Sequence, residues 1–155
     1  MTQFGNTQIA RVNATVDVAA HGANDIVAVL ALGAVFGRTG TGLLRSVAIA
    51  DDANQKAALS LHFFAGALTG GTYALNGPFT PSEADAALYL GCVRVAAADY
   101  DTVGTKALGS KECGLPVRSS TPDSDGALTC VVTTTGTPDY VAADDLRFTF
   151  GILAD

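Results

Sequence analysis

The sequence predicts an all-β protein, an antiparallel jelly-roll-like β-sandwich of about eight strands with at most one or two short helical turns. Three observations carry that expectation. Apolar residues recur with a period of two in several segments, the spacing that lines one face of a strand. Seventeen glycines and many threonines punctuate those segments where tight turns are needed. Only one short stretch, FTPSEADAAL, carries the signals of a helix start. The 155 residues suit one domain. Residues 1–8 read as a polar N-terminal arm and 9–155 as a single β-sandwich domain.

The elements follow in order. From Ile9 the pattern IARVNATVDV sets Val12, Ala14, Val16 and Val18 against Arg11, Asn13, Thr15 and Asp17, a half-buried strand with one wet face. AAHGAND is a loop. IVAVLALGAVFG fits a buried strand pair or a helix; its valines favour strand, and Gly33 marks a bulge or bend. LLRSVAIADDANQKAALSLHFF, from Leu43 to Phe64, reads as two strands and the turn between them. Its alanines admit a helix, but Val47, Ile49 and Phe63 keep the strand period. In the first strand Leu44, Ser46, Ala48 and Ala50 alternate with Leu43, Arg45, Val47 and Ile49. In the second, Leu59, Leu61 and Phe63 form the core row, while Ala58, Ser60 and His62 lie under loops or a second copy.

Residues 65–82 are mostly loop, with a short edge strand around Thr72 to Leu75. Thr80 or Ser82 caps a one- or two-turn helix, with Pro81 near its start and Glu83 and Asp85 at its positive end. Leu90 to Ala96 is a strand with Val93 and Val95 on one side. Ala97 to Thr102 is a loop and Val103 to Leu108 a short strand. Residues 109–125 look most loop-like, with a brief strand at Leu115 to Arg118. ALTCVVTTTG and DLRFTFGIL complete the set, the latter with Leu146, Phe148, Phe150 and Ile152 inward.

Composition narrows the function classes. Only 15% of residues are charged and 48% are hydrophobic, so either the chain is very well buried or part of its exterior faces another protein. A net charge of −6 with no clustered Lys or Arg argues against nucleic acid and against an anionic membrane surface. No transmembrane segment is expected, since the apolar run Ile26 to Gly37 is too short and residues 57–82 are broken by Gly, Thr and Pro. MTQFGNTQ lacks the basic and apolar regions of a signal peptide. Cys92, Cys113 and Cys130 are odd in number and widely spaced, which suits a reducing cytoplasm better than a disulfide framework.

Catalytic chemistry finds little to stand on. His21 in a turn and His62 within a strand have no HxH or HExxH spacing, so no metal site is expected. The acid pairs Asp51–Asp52 and Asp144–Asp145 fall at turns, where carboxylates accept backbone N–H groups. Asp123, Asp125 and Gly126 suggest calcium, but the loop lacks the spaced ligands and closing Glu of an EF-hand. No serine lies in GxSxG, and GRTGTG matches no phosphate-binding loop. No enzyme activity, catalytic residue or cofactor is expected.

SVAIADDANQKAALSLHFF resembles a family of small virion proteins of tailed bacteriophages, whose members carry an SVxxxD strand, a QKAxL entry and a closing aromatic or apolar pair. The likeness extends to ATVDVAAHGANDIV, AAADYDTVGTKAL and GLPV. It ends at GTPDYVAADDLRFTFGILAD, where PxYxAAxDLxxxxGIL is the most specific piece. The Ala-rich substitutions and the loop holding Cys113 depart from the pattern. The resemblance implies a jelly-roll cement or decoration protein on the outer surface of the virion capsid, made and assembled in the host cytoplasm. It implies the major capsid protein as partner and self-association as a homodimer or other homo-oligomer. Under that role residues 65–82 and 109–125 and the N-terminal arm are the expected clamps, with Phe4, Tyr73, Phe79 and Arg118 as anchors, since aromatics and arginine dominate interface energetics. The alternative is a tail- or fibre-associated β-sandwich that recognises host glycan, for which the chain is short of aromatics and has no tryptophan.

Overall fold

Two antiparallel sheets face each other in the computed structural model, which describes residues 6–33, 35–36, 40–119 and 128–154. In chain order they are β1 (Asn6–Asn13), β2 (Ile26–Leu32), β3 (Thr41–Asp51), β4 (Leu59–Phe64), β5 (Tyr89–Val95), β6 (Tyr100–Val103), β7 (Lys106–Arg118), β8 (Leu128–Thr134) and β9 (Leu146–Ala154). One short helix, α1 (Glu83–Ala86), and a 3-10 turn at Ala97–Asp99 complete the described elements. β1 pairs with β9, β2 with β8, β3 with β7 and β4 with β5. The chain is therefore one long antiparallel ribbon, doubled back between β4 and β5 and rolled so that successive pairs fall in opposite sheets. Rolling sets β3 beside β9 and β4 beside β8, giving orders β1-β9-β3-β7-β6 and β2-β8-β4-β5. That is the strand order of a jelly roll, with β6 added at one edge.

The predicted fold class is what the chain adopts, and several strands fall where the period of two placed them. Leu146, Phe148, Phe150 and Ile152 of β9 are all buried, as are Val93 and Val95 of β5. Ser82 caps α1 by accepting the Asp85 N–H at 3.1 Å. The pattern predicted from Ile9 is a strand only as far as Asn13, and pairing begins earlier, at Asn6. Ala14 and Val16 remain buried because their N–H groups are held by the Leu146 and Ala143 carbonyls, whereas Val18 is exposed.

Several expectations need correction. β3 and β4 do not pair; they lie in different sheets, so Val47 and Ile49 face Leu59, Leu61 and Phe63 across the core. Within β3 a register shift between Leu44 and Ser46 inserts one residue, and a bulge of that kind moves every later side chain to the other face. Leu44 is thereby buried together with Val47, Ile49 and Asp51, although simple alternation separates them. Residues 109–114, expected as loop, are part of β7 and run into the strand expected at Leu115 to Arg118, which makes β7 the longest of the described strands at 13 residues. Its Gly, Ser, Lys and Pro disguise a strand that exposes one row to solvent and gains its ladder from β3. The strand predicted over Val103 to Leu108 is broken by a two-residue turn, Gly104 at φ +65° and Thr105, so Val103 ends β6 and Lys106 to Leu108 begin β7. Thr72 pairs with Thr80 only as an isolated bridge.

The sandwich closes on aromatic and branched side chains. Phe63 of β4 meets Phe150 of β9 edge-on across the core at 5.9 Å between ring centres, and Phe148 stacks beside Phe150 at 6.1 Å. All three rings are buried, together with Leu30, Leu44, Leu61 and Leu128. Burying side chains of this size contributes about 1.5–3 kcal/mol each.

Candidate interaction surfaces

The two sheets have differently finished outer faces. On the four-stranded sheet, the long β4–β5 connection folds back and covers its own strands. Ile26, Phe64 and Val131 form a second apolar cluster there, outside the sandwich core, and Leu68, Tyr73, Leu75, Phe79 and Leu88 pack over it. His62 lies in this layer, 4.9 Å from the Phe79 ring, with the Thr133 hydroxyl 3.3 Å from Nε2. Burial, and then the Arg94 guanidinium, lowers its pKa, because both disfavour the charged imidazolium.

Asp85 pins this covering loop. Its side chain points back from α1 and accepts the N–H groups of Thr69 (3.0 Å), Gly70 (3.0 Å) and Gly71 (2.7 Å) and the Tyr73 hydroxyl (2.7 Å). The Tyr73 hydroxyl first, then the Thr69 N–H, hold its pKa well below the usual carboxylate range. Burial, then Asp85 itself, pushes the Tyr73 phenol up. The sequence showed Asp85 only as an acid at a helix start; its real partners are set by a loop fourteen to sixteen residues upstream.

Among the described residues the five-stranded sheet has no such cover. Register places Arg11 across from Thr149, Asn13 from Arg147, Ala48 from Ser110 and Asp101 from Leu108, all on the outer face. Among them runs a groove of about 550 Å³, floored by Ala48 and Ala50 and flanked by Arg11 and Arg147. Asp52, at the end of β3, joins Lys106 at 2.8 Å and also Arg147. Its pKa is lowered by the Lys106 hydrogen bond first. Val103 and Leu108 line the groove and stand exposed, as does Ile9 on β1.

A buried polar cluster closes one end of the sandwich. His21 packs edge-on against Tyr140 at 5.6 Å, and both side chains are buried. Asp51, also buried, accepts the Lys56 N–H at 2.8 Å, and burial raises its pKa. Asp145 accepts the N–H groups of Val141 and Ala142 at 2.9 Å each, which shapes the turn into β9. These carboxylates do the turn-holding work expected of acid pairs, but both Asp51 and Asp145 do it from buried positions.

Of the anchors read from the sequence, Tyr73 and Phe79 come together, 6.2 Å apart, half-buried over β4. Arg118 is exposed on the outer face of the other sheet, paired in register with Thr41. Phe4 and the acids Asp123 and Asp125 lie outside the described residues. Arg11, Arg45, Lys106 and Arg147 were not singled out. The alternation of Arg11 with Val12 and of Arg147 with Phe148 signalled an outward row, but only the sheet order brings those rows side by side.

Among the described residues no group of three or more His, Cys, Asp or Glu is arranged to hold a metal ion, and no helix is long and apolar enough to cross a membrane. Cys92 and Cys113 are half-buried and Cys130 is buried; all three are free thiols, and burial raises the pKa of each. No protein-family model and no curated protein matches the chain.

Proposed function

We propose that this protein is a structural component of a tailed-bacteriophage head, a cement or decoration protein that binds the outer capsid surface and stabilises contacts between capsomers of the major capsid protein. The observation that carries the reading is the unequal finish of the two sheets: one wears its own loop, and among the described residues nothing comparable covers the other. The resemblance of the β3–β4 and β9 segments to virion proteins supports it, since those segments build the scaffold behind that face. Cementing requires a rigid body and a docking surface. With strands about 4.8 Å apart and about 3.3 Å per residue, the bare face spans on the order of 600 Å². That is modest for one interface, but repetition over a shell multiplies it.

Counting the protein in purified particles tests this directly. Hundreds of copies on the head, and particles that rupture at lower temperature without it, are the expected results. A few copies confined to the tail, or shells equally heat-resistant without it, would overturn the proposal.

A further inference from the structure

Charge is unevenly divided over the molecule. Arg11, Arg45, Lys106, Arg118 and Arg147, five of the nine Lys and Arg residues, belong to the outer face of the five-stranded sheet. Asp52, Asp101 and Glu112 are the acids on or beside it, so the face carries net +2 while the rest of the chain carries −8. Lys106 and Arg147 share the single carboxylate of Asp52, but among the described residues Arg11, Arg45 and Arg118 have no ion-pair partner. Arg11 thus lines the apolar-floored groove, Arg45 lines a second depression of the same face beside Ser46, and Arg118 follows further along β7 opposite Thr41.

We infer that this face is the docking surface for an acidic, extended segment of a partner protein, whose carboxylates meet Arg11, Arg45 and Arg118 while small apolar side chains lie along Ala48 and Ala50. The inference deepens the capsid reading and rests on it for the partner's identity: the segment belongs to the shell. A planar guanidinium recognises a carboxylate through paired N–H donors, which supplies orientation as well as attraction. The apolar floor and the exposed Ile9, Val103 and Leu108 favour protein over nucleic acid. A second copy docked face to face about a two-fold axis would set arginine against arginine, so self-association through this face is disfavoured.

The test compares the wild-type chain with the variant Arg11→Glu/Arg45→Glu/Arg118→Glu, after thermal unfolding shows both equally stable. Two probes are used: a synthetic peptide alternating glutamate and valine, and capsids stripped of this protein. The wild type is expected to bind the peptide with NMR shift changes at Ala48, Ser110 and Thr149, and to lose it as salt rises from about 0.05 to about 0.5 M. The variant is expected to bind both probes about tenfold more weakly or worse. Equal binding by the variant overturns the inference. So does displacement of the peptide by DNA, or a wild-type dimer that the variant loses in sedimentation. If the wild type binds the peptide through this face but never binds stripped capsids, the capsid reading falls and the docking surface stands.

Discussion

Asp85 fixes a loop of more than twenty residues with one carboxylate, and the balance of its partners sets a pH dependence. Because they favour the ionised form, its folded pKa lies below the ordinary value of 3.8. Its stabilising contribution is therefore fully present above that ordinary value and is lost as pH falls below it toward the folded value. Asp85→Asn removes the charge and turns an N–H₂ group toward N–H donors. Amide exchange at Gly70 and Gly71 should accelerate by about tenfold or more at neutral pH, and the variant should lose the wild type's acid-induced loosening of this loop. NMR-detected hydrogen exchange between neutral pH and the acid range checks both; unchanged protection would show that apolar packing alone holds the cover. The sequence placed Ser82, Glu83 and Asp85 in the right short helix, because capping is local. It was silent on the direction of the Asp85 side chain, because Thr69, Gly70 and Gly71 reach it through the fold.

Strands were legible wherever a buried face imposed alternation, as in β9, and illegible where the ladder outweighed side-chain pattern, as in β7. Bulges account for other differences. The inserted residue near Arg45 changes which β3 side chains face the core, and a comparable irregularity lies in β5 at Gly91. Gly91 has φ +147°, and a Cβ there would sit 2.6 Å from Leu115 Cδ1 on β7, where the two sheets approach each other. Gly91→Ala therefore combines a backbone conformation that alanine avoids with a clash against a core side chain. The expected cost is about 2 kcal/mol, or about 4–8 °C in Tm, measurable by calorimetry. Gly104→Ala in the β6–β7 turn makes the comparison, since its φ is also positive but no atom lies within 4 Å; it should cost less, and a smaller loss at Gly91 than at Gly104 would contradict the packing argument.

At the scale of the molecule, every pair in the ribbon except β6–β7 and β4–β5 joins strands far apart in sequence. Such topologies delay the reward for closing long loops. Refolding should accordingly occupy milliseconds to seconds or longer, with stopped-flow fluorescence of the tyrosines as the measurement; a complete microsecond transition would contradict the pairing order. The period of two and the glycine-rich turns led to the sandwich, while the low charge content left two readings, deep burial or an exterior that faces another protein, and named no surface. The covering loop and the bare sheet are decided by a strand order that no local pattern encodes.

The pairing of Asn6 with Ala154 places both ends of the ribbon at one corner of one sheet. Tension applied between them would peel β1 from β9 one rung at a time, like a zipper, instead of loading the whole ladder in shear. The molecule is mechanically weak along its own chain. Any load borne by this protein is better passed through the broad face, where many side chains share it, than through tethers at the two ends.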